Sequence, residues 1–324
     1  MSGAVPALLP VEIGLTAAIV AMQAGEPMIL AAAGEAEPVA LPSGPFDPLE
    51  HRTFEIGLRA SVARQTGTKL GYVEQLYTFG DRGRHARDGD RDPHVVSVGY
   101  LALTRLEIPG SREQRPGPGF LPWYQFFPWE DWRGGRPALL IDQKIAPLLR
   151  QWAGGEKLRT ERINRLFAAG SQGNDAENVL ERYELLYEAG LVEEARRDGR
   201  PAALARAALP QLGRPMRFDH RRILATAMGR LRAKMKYRPV IFELMPESFT
   251  LTALQGAVEA ISGRLLHKQN FRRLVDSSNV AEPVTGASAA TGGRPAALFR
   301  FRREMAPERR GAGLRAGIRA QPPF

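Results

Sequence analysis

Apolar residues fall into blocks along the chain, and their spacing changes from block to block. Residues 11–22 and 27–33 are nearly continuous apolar and β-branched runs on either side of Gly25, which predicts a hairpin. Residues 50–66 switch to helical spacing, with Phe54, Leu58 and Val62 on one face, and Gly67 is placed as a C-terminal stop. A strand-like segment at 71–79, a polar loop at 80–94 and a β-rich run at 95–108 follow. A strand pair, then a helix, then further strands predicts an α/β sandwich rather than a bundle. From about 120 to 215 the spacing is helical again, with Leu180, Tyr183, Leu186 and Tyr187 on one face and Gly190 as a stop. This stretch reads as a helical insertion. Its aromatic opening, "PWYQFFPWEDWRGGRP", holds three of the four tryptophans and reads as core or dimer contacts.

The last third has a different pattern. Thr250 or Thr252 can cap a helix running to Ser262, Gly263 permits a turn, and a second helix begins near His267. Phe271, Leu274 and Val275 mark its buried side, which leaves Lys268, Gln269, Asn270, Arg272 and Arg273 outward. These side chains suit nucleic acid. Asn and Gln can pair in two places with adenine, Arg and Lys can meet guanine or phosphate, and a short helix fits the major groove. Asn270, with Arg273 or Lys268 beside it, is expected to reach base edges. Arg294, next to Gly292 and Gly293, is expected on a wing tip near phosphate or a minor groove.

Charge supports this picture. The chain of 324 residues has a formal net charge of +10, and eight arginines from Arg294 onward face only Glu304 and Glu308. Such a balance favours a polyanionic partner. Residues 306–324 lack apolar periodicity and are expected to form a disordered basic tail. No apolar run reaches the roughly 18 residues of a membrane span, so no membrane partner is expected. The absence of cysteine fits a reducing bacterial cytoplasm and removes cysteine metal sites. The five histidines show no metal-ligand spacing.

The helix ending at Gly67, the "GYVEQLYTFGD" strand and the "HVVSVGYLAL" strand together resemble the Nudix fold, in particular its ADP-ribose branch. That family's box closes its helix with Arg-Glu-aliphatic-x-Glu-Glu-x-Gly and places another glutamate about two turns earlier. Anchored on Gly67, the box places Ala60 and Ser61 at the Arg-Glu pair, Val62 at the aliphatic position and Arg64 and Gln65 at the paired glutamates. The earlier glutamate position falls on Arg52. Pyrophosphate hydrolysis at neutral pH needs divalent cations held by anionic oxygens, and Arg64 and Gln65 supply none. Glu55 remains on the helix but is out of register. The frame implies an ancestral enzyme, and the residues imply lost catalysis. A cationic helix end can still hold phosphates through arginine's fork of donors. Arg52, Arg64 and Gln65, with Arg82 and Arg84 of the following loop, are the candidate effector contacts.

Residues 218–302 are similar, nearly residue by residue in framework, to the C-terminal half of the Nudix-related transcriptional regulators of NAD metabolism. The aromatic stretch and insertion look most like the alphaproteobacterial branch. The resemblance implies a Nudix-like sensing domain over 1–236, with the insertion at about 120–215. It implies a winged helix-turn-helix over 237–305, with its recognition helix at 267–277. It further implies a cytoplasmic homodimeric repressor of NAD synthesis or salvage genes that binds a palindromic DNA operator. No cofactor is required, and the expected effector is NAD, ADP-ribose or ATP. Two alternatives stay open. One is an active ADP-ribose or NADH pyrophosphatase with an accessory nucleic-acid-binding domain; the other is a single-strand binder stacking bases on the tryptophans.

Overall fold

The computed structural model describes residues 10–32, 38–81, 94–106, 119–167, 176–289 and 296–302. Strand β1 (Val11–Gln23) turns at Ala24 and Gly25 into antiparallel β2 (Glu26–Leu30), with Val20 opposite Ile29. The short β3 (Ser43–Pro45) pairs with the first half of β1. Helix α1 (Phe54–Thr66) follows, and then β4 (Val73–Phe79), which is antiparallel to β5 (His94–Leu103). Strand β5 lies parallel to β1 along ten residue pairs, and β6 (Phe120–Pro122) closes the far edge against β2. The resulting order is β4-β5-β1-β2-β6, with β3 beside β1.

The nearly unbroken apolar run of β1 has a simple cause. Successive side chains of a strand point to opposite faces, and here both faces are covered. Leu15, Ala17 and Ile19 pack with Leu58 and Val62 of α1. Ala18 and Val20 face the other way, into a cluster with Ile223, Leu224 and Leu231 of the long helix His220–Met235. Helix α1 starts where the Thr53 hydroxyl accepts the Ile56 N–H, and it ends at Gly67, whose left-handed φ of 65° a side chain would oppose.

The segment expected to be a purely helical insertion opens instead with a strand. Phe120 and Leu121 pair with Leu30 and Ile29, so the apolar start of this segment completes the sheet edge. Helices come only afterwards. Helix α2 (Ala138–Leu140) runs through a π turn at Ile141–Ile145 into α3 (Ala146–Ala153). Then come α4 (Lys157–Phe167), α5 (Val179–Glu188), α6 (Glu193–Arg197) and α7 (Pro201–Leu204). Trp123 and Trp129 are 0% and 1% exposed, buried with Phe126, Phe127 and Tyr183. They offer no face to a nucleic-acid base, which removes the stacking alternative as built on these rings.

Helix α8 (His220–Met235) spans the back of the sheet, and Gly99 of β5 allows its close approach, because a Cβ there would lie 2.8 Å from Phe79 and 3.2 Å from Ile223. The chain then enters a second, three-stranded sheet of order β7-β9-β8. The C-terminal unit built around this sheet runs β7 (Ser248–Phe249), α9 (Leu251–Ser262), α10 (Lys268–Ser278), β8 (Ala281–Ala289) and β9 (Ala296–Phe301). Its core, including Leu254, Val258, Ile261, Phe271 and Val275, is continuous with the cluster under α8. The C-terminal unit is thus docked on the sandwich by shared apolar contact. Among the described residues no helix is long and apolar enough to cross a membrane.

Candidate nucleic-acid interface and nucleotide site

Helix α10 is held from behind by its apolar side. Phe271 and Val275 are buried, and α10 is joined to α9 by a turn pinned from the α9 side. Glu259 accepts the Leu266 N–H at 2.8 Å, and the Gln255 amide donates to the Leu266 carbonyl at 2.9 Å. Thr250, rather than Thr252, is the cap of α9, its hydroxyl accepting the Ala253 N–H at 3.0 Å. These bonds fix the presentation of α10, because a turn with satisfied polar groups has few alternative arrangements.

The outward face of α10 is different. Lys268, Gln269, Asn270, Arg272 and Arg273 are all exposed, and among the described residues none has a hydrogen-bond or ion-pair partner. Successive residues turn by about 100°, so the row Gln269, Arg273 and Ser277 lies directly opposite the Phe271–Val275 stripe. Asn270 flanks that row. Lys268 and Arg272 lie nearer the edge that meets the rest of the domain, a position that suits phosphate better than base edges. The five residues are therefore on one helix but not equivalent. Arg294 lies outside the described residues, as does the tail from 303 onward. On the neighbouring β9, Arg300 pairs with Glu282 at 2.7 Å and Arg302 pairs with the same carboxylate at 3.2 Å. Chiefly through the Arg300 hydrogen bond, Glu282 is held below the usual carboxylate range.

Helix α1 turns its polar residues to other uses. Gln65 donates from its amide to the Ser43 carbonyl at 2.7 Å and to the Ser61 hydroxyl at 3.0 Å, tying the end of the helix to β3. Arg59 donates to Glu55 and to the carbonyls of Leu70 and Gly71. Ser61 is buried, and Arg64 and Arg52 are exposed. The expected effector contacts do not converge. Arg52 precedes the helix and Arg64 ends it, and 13 helical residues span roughly 20 Å. The Gln65 amide nitrogen is already engaged by the Ser43 carbonyl and the Ser61 hydroxyl. Arg82 and Arg84 lie outside the described residues.

The box positions do not fit the divalent cations that the Nudix resemblance implies. Ala60 has no ligand atom, Ser61 is bonded inward, Arg64 repels a cation and Gln65 presents a neutral amide. The nearest spare carboxylates are also engaged. Glu55 bonds Arg59, while Glu74 on β4 accepts from Lys234 and from the Tyr72 hydroxyl and faces Arg230 at 3.5 Å. Burial, reinforced by Glu74, pushes the Tyr72 hydroxyl well above its ordinary range. Among the described residues no group of three His, Asp or Glu side chains is placed to hold a metal ion.

One cluster escapes any reading by spacing. Glu130, in the aromatic stretch, is buried between Arg182 of α5 at 2.5 Å and Arg232 of α8 at 2.7 Å. Burial pushes the Glu130 carboxyl up, but the two guanidinium groups outweigh it and hold the group below its ordinary value. Arg232 is correspondingly raised against its own burial by Tyr124 and Glu130. The only sequence signal was an acidic residue set among tryptophans, which invites the question of what neutralises it.

Comparison with known proteins agrees with this architecture. Residues 241–301 match the family model described as the NrtR DNA-binding winged helix domain. An ADPR responsive transcriptional repressor NtrR of Acinetobacter baylyi is 45% identical over 84 residues, which is 26% of this chain and 33% of that protein. The match thus spans about a third of the length of this curated relative. A crystal structure of Shewanella oneidensis NrtR aligns with a TM-score of 0.53 at 19% identity, covering 91% of this chain and 96% of the other. At that identity the likeness speaks to fold: a Nudix-like sandwich with an added helical segment, followed by a winged helix-turn-helix.

Proposed function

We propose that this chain, a Nudix-like sandwich joined to an NrtR-type winged helix, is a DNA-binding transcriptional repressor of NAD synthesis or salvage genes. The observation that carries it is α10: a helix anchored on its apolar side, with five polar side chains exposed and unpartnered among the described residues. These donors are solvated in the free protein and stand open to a ligand. Gln269 and Arg273 read base edges in the major groove, and Asn270 assists from the flank. Lys268, Arg272 and Arg294 meet phosphate. Two copies bind a palindromic operator as a homodimer, since helix-turn-helix units commonly read half-sites about one helical turn apart. The protein works in the cytoplasm.

The Nudix-like domain acts as the sensor, with ADP-ribose as effector. Support comes from the ADPR-responsive relative and from a box whose donors suit phosphate rather than metal. Arg52 and Arg64 contact the effector from opposite ends of α1, together with Arg82 and Arg84. Gln65 is withdrawn from that set because it secures β3. The domain does not hydrolyse its effector, because the box positions supply no carboxylate, Glu74 is tied to Lys234, and Glu55 alone, paired with Arg59, does not make a cation cluster.

The test is a binding cycle. Operator duplex is recovered by selection from random DNA with the full-length protein, and its affinity is measured with and without ADP-ribose, NAD and ATP. ADP-ribose is expected to change operator affinity by about 5–150-fold, with operator changing ADP-ribose affinity by the same factor. Indifference to all three nucleotides would remove the sensor. Steady turnover of ADP-ribose with Mg²⁺ would make the protein a pyrophosphatase instead.

A further inference from the structure

The last turn of α9 leads directly into the turn before α10, and it is held by the sensor domain. An α-helix leaves its final carbonyls without intrahelical partners. The Glu259 carbonyl accepts the Gly263 and Arg264 N–H groups, as in an ordinary helix end. The next ones are satisfied from outside. The Ala260 carbonyl accepts the Tyr124 hydroxyl at 2.6 Å, and the Ile261 carbonyl accepts Arg232 Nε at 2.8 Å. The Gly263 carbonyl accepts the Trp132 N–H at 2.7 Å. Tyr124 and Trp132 belong to the aromatic stretch, and Arg232 to α8, which covers the sandwich sheet.

The same groups form one unit. Arg232 also reaches Glu130 and the Tyr124 hydroxyl, and Arg264, in the turn, packs its guanidinium 4.4 Å from the Trp132 ring centre. Gly263 has a left-handed φ of 72°, and a Cβ there would stand 2.3 Å from the Glu130 carbonyl and 2.9 Å from the Tyr124 hydroxyl. The backbone of the turn is therefore pressed against the aromatic stretch at a distance only glycine permits. A cation at a helix C-terminus is also favourable to the helix dipole, and Arg232 is buried there with its charge balanced by Glu130.

We propose that Tyr124, Arg232 and the Trp132 backbone form a clamp that positions the DNA-reading helix, so that nucleotide occupancy of the sensor reaches DNA through the last turn of α9. This rests on the sensor function proposed above. Tyr124 and Arg232 are positioning residues: they touch neither DNA nor effector, and they act by fixing the turn from which α10 departs. A small shift of α8 or of the aromatic stretch moves three of the carbonyls around that turn together, which rotates α10 as a unit. The clamp also explains why a buried ion cluster persists between two domains. Arg232 has to reach helix carbonyls in an apolar interface, and Glu130 makes its burial possible.

The experiment compares the full-length wild type with Tyr124→Phe, which removes one hydroxyl and keeps the ring, and with Arg232→Lys, which keeps the charge and loses the fork. Amide hydrogen exchange is followed at residues 259–270, and selected-operator affinity is measured with and without ADP-ribose. Exchange in that segment is expected to rise about fivefold in Tyr124→Phe, the loss of one buried hydrogen bond, while the β1–β5 amides stay unchanged. The ratio of operator affinities with and without ADP-ribose is expected to collapse toward one in both variants, although unliganded operator binding persists. A merely structural hydroxyl would lower stability and leave that ratio intact. Unchanged exchange at 259–270 would overturn the clamp, and an unchanged ratio in both variants would overturn its role in transmission. A wild type that ignores ADP-ribose would instead overturn the sensor function, and exchange would still decide whether the clamp holds the turn.

Discussion

Helices α1 and α10 are similar in length and in the way they are held, yet they treat their polar residues in opposite ways. Each buries one apolar stripe, Leu58 and Val62 in the first and Phe271 and Val275 in the second. On α1, Arg59 and Gln65 are turned back onto Glu55, Ser61 and the carbonyls of Ser43, Leu70 and Gly71. On α10, Gln269, Asn270 and Arg273 have no partner among the described residues. The difference teaches how a helix whose polar residues are tied into the scaffold can be told from one whose polar face is left open. In α1 most polar side chains are bonded back onto the scaffold, while Arg64 is exposed in the last turn. In α10 the scaffold stops at the buried stripe, and the polar face is left to bind.

The largest effects should be equal in the two helices, because both are anchored by burial. Leu58→Ala and Phe271→Ala should each destabilise the protein by about 2–5 kcal/mol in urea unfolding, since each side chain is almost fully buried. A much smaller loss for Phe271→Ala would mean that α10 is not seated as described, and the contrast would fail at its base.

The outward faces should then separate the helices. Arg273→Ala should weaken selected-operator binding by about 1–3 kcal/mol, with a much smaller effect on random duplex, and should leave unfolding unchanged. Asn270→Ala should follow the same pattern with a smaller loss, because it flanks the central row. If Arg273→Ala weakens operator and random duplex equally, α10 meets phosphate rather than bases.

Gln65→Ala should do the reverse. It removes hydrogen bonds to Ser43 and Ser61, so a stability loss of about 0.5–1.5 kcal/mol is expected, with operator affinity unchanged. A change in ADP-ribose affinity without a change in stability would return Gln65 to the effector site and blur the contrast.

The smallest effect distinguishes the edge of α10 from its centre. Lys268→Ala should weaken specific and random duplex alike and reduce the slope of log affinity against log salt by about 0.9. Titration over a salt series would show it, and a slope equal to that of the wild type would place Lys268 away from phosphate.

Much of this protein is local and could be read from residues alone. The β1–β2 hairpin, α1 with its Gly67 stop, and α9 and α10 with their Gly263 turn follow from apolar period and end signals, whereas the choice of Thr250 over Thr252 as the α9 cap came from the structure. Such signals depend on neighbours a few residues apart. That Ala60, Ser61, Arg64 and Gln65 carry no carboxylate is equally legible, because it concerns which atoms are present. The spacing also grouped Arg52, Arg64 and Gln65; the structure puts the first before α1 and the other two in its last turn, and turns the Gln65 amide back onto Ser43 and Ser61.

What only tertiary structure decided lies across long separations. Phe120 and Leu121 became a sheet edge because β2 offered them an unpaired strand. Glu130 found Arg182 and Arg232, which stand 52 and 102 residues away. Tyr124 reached a helix carbonyl 136 residues on. No period or cap encodes such pairs. A buried polar group must be satisfied, but which distant group satisfies it is chosen by the packing that brings the two together.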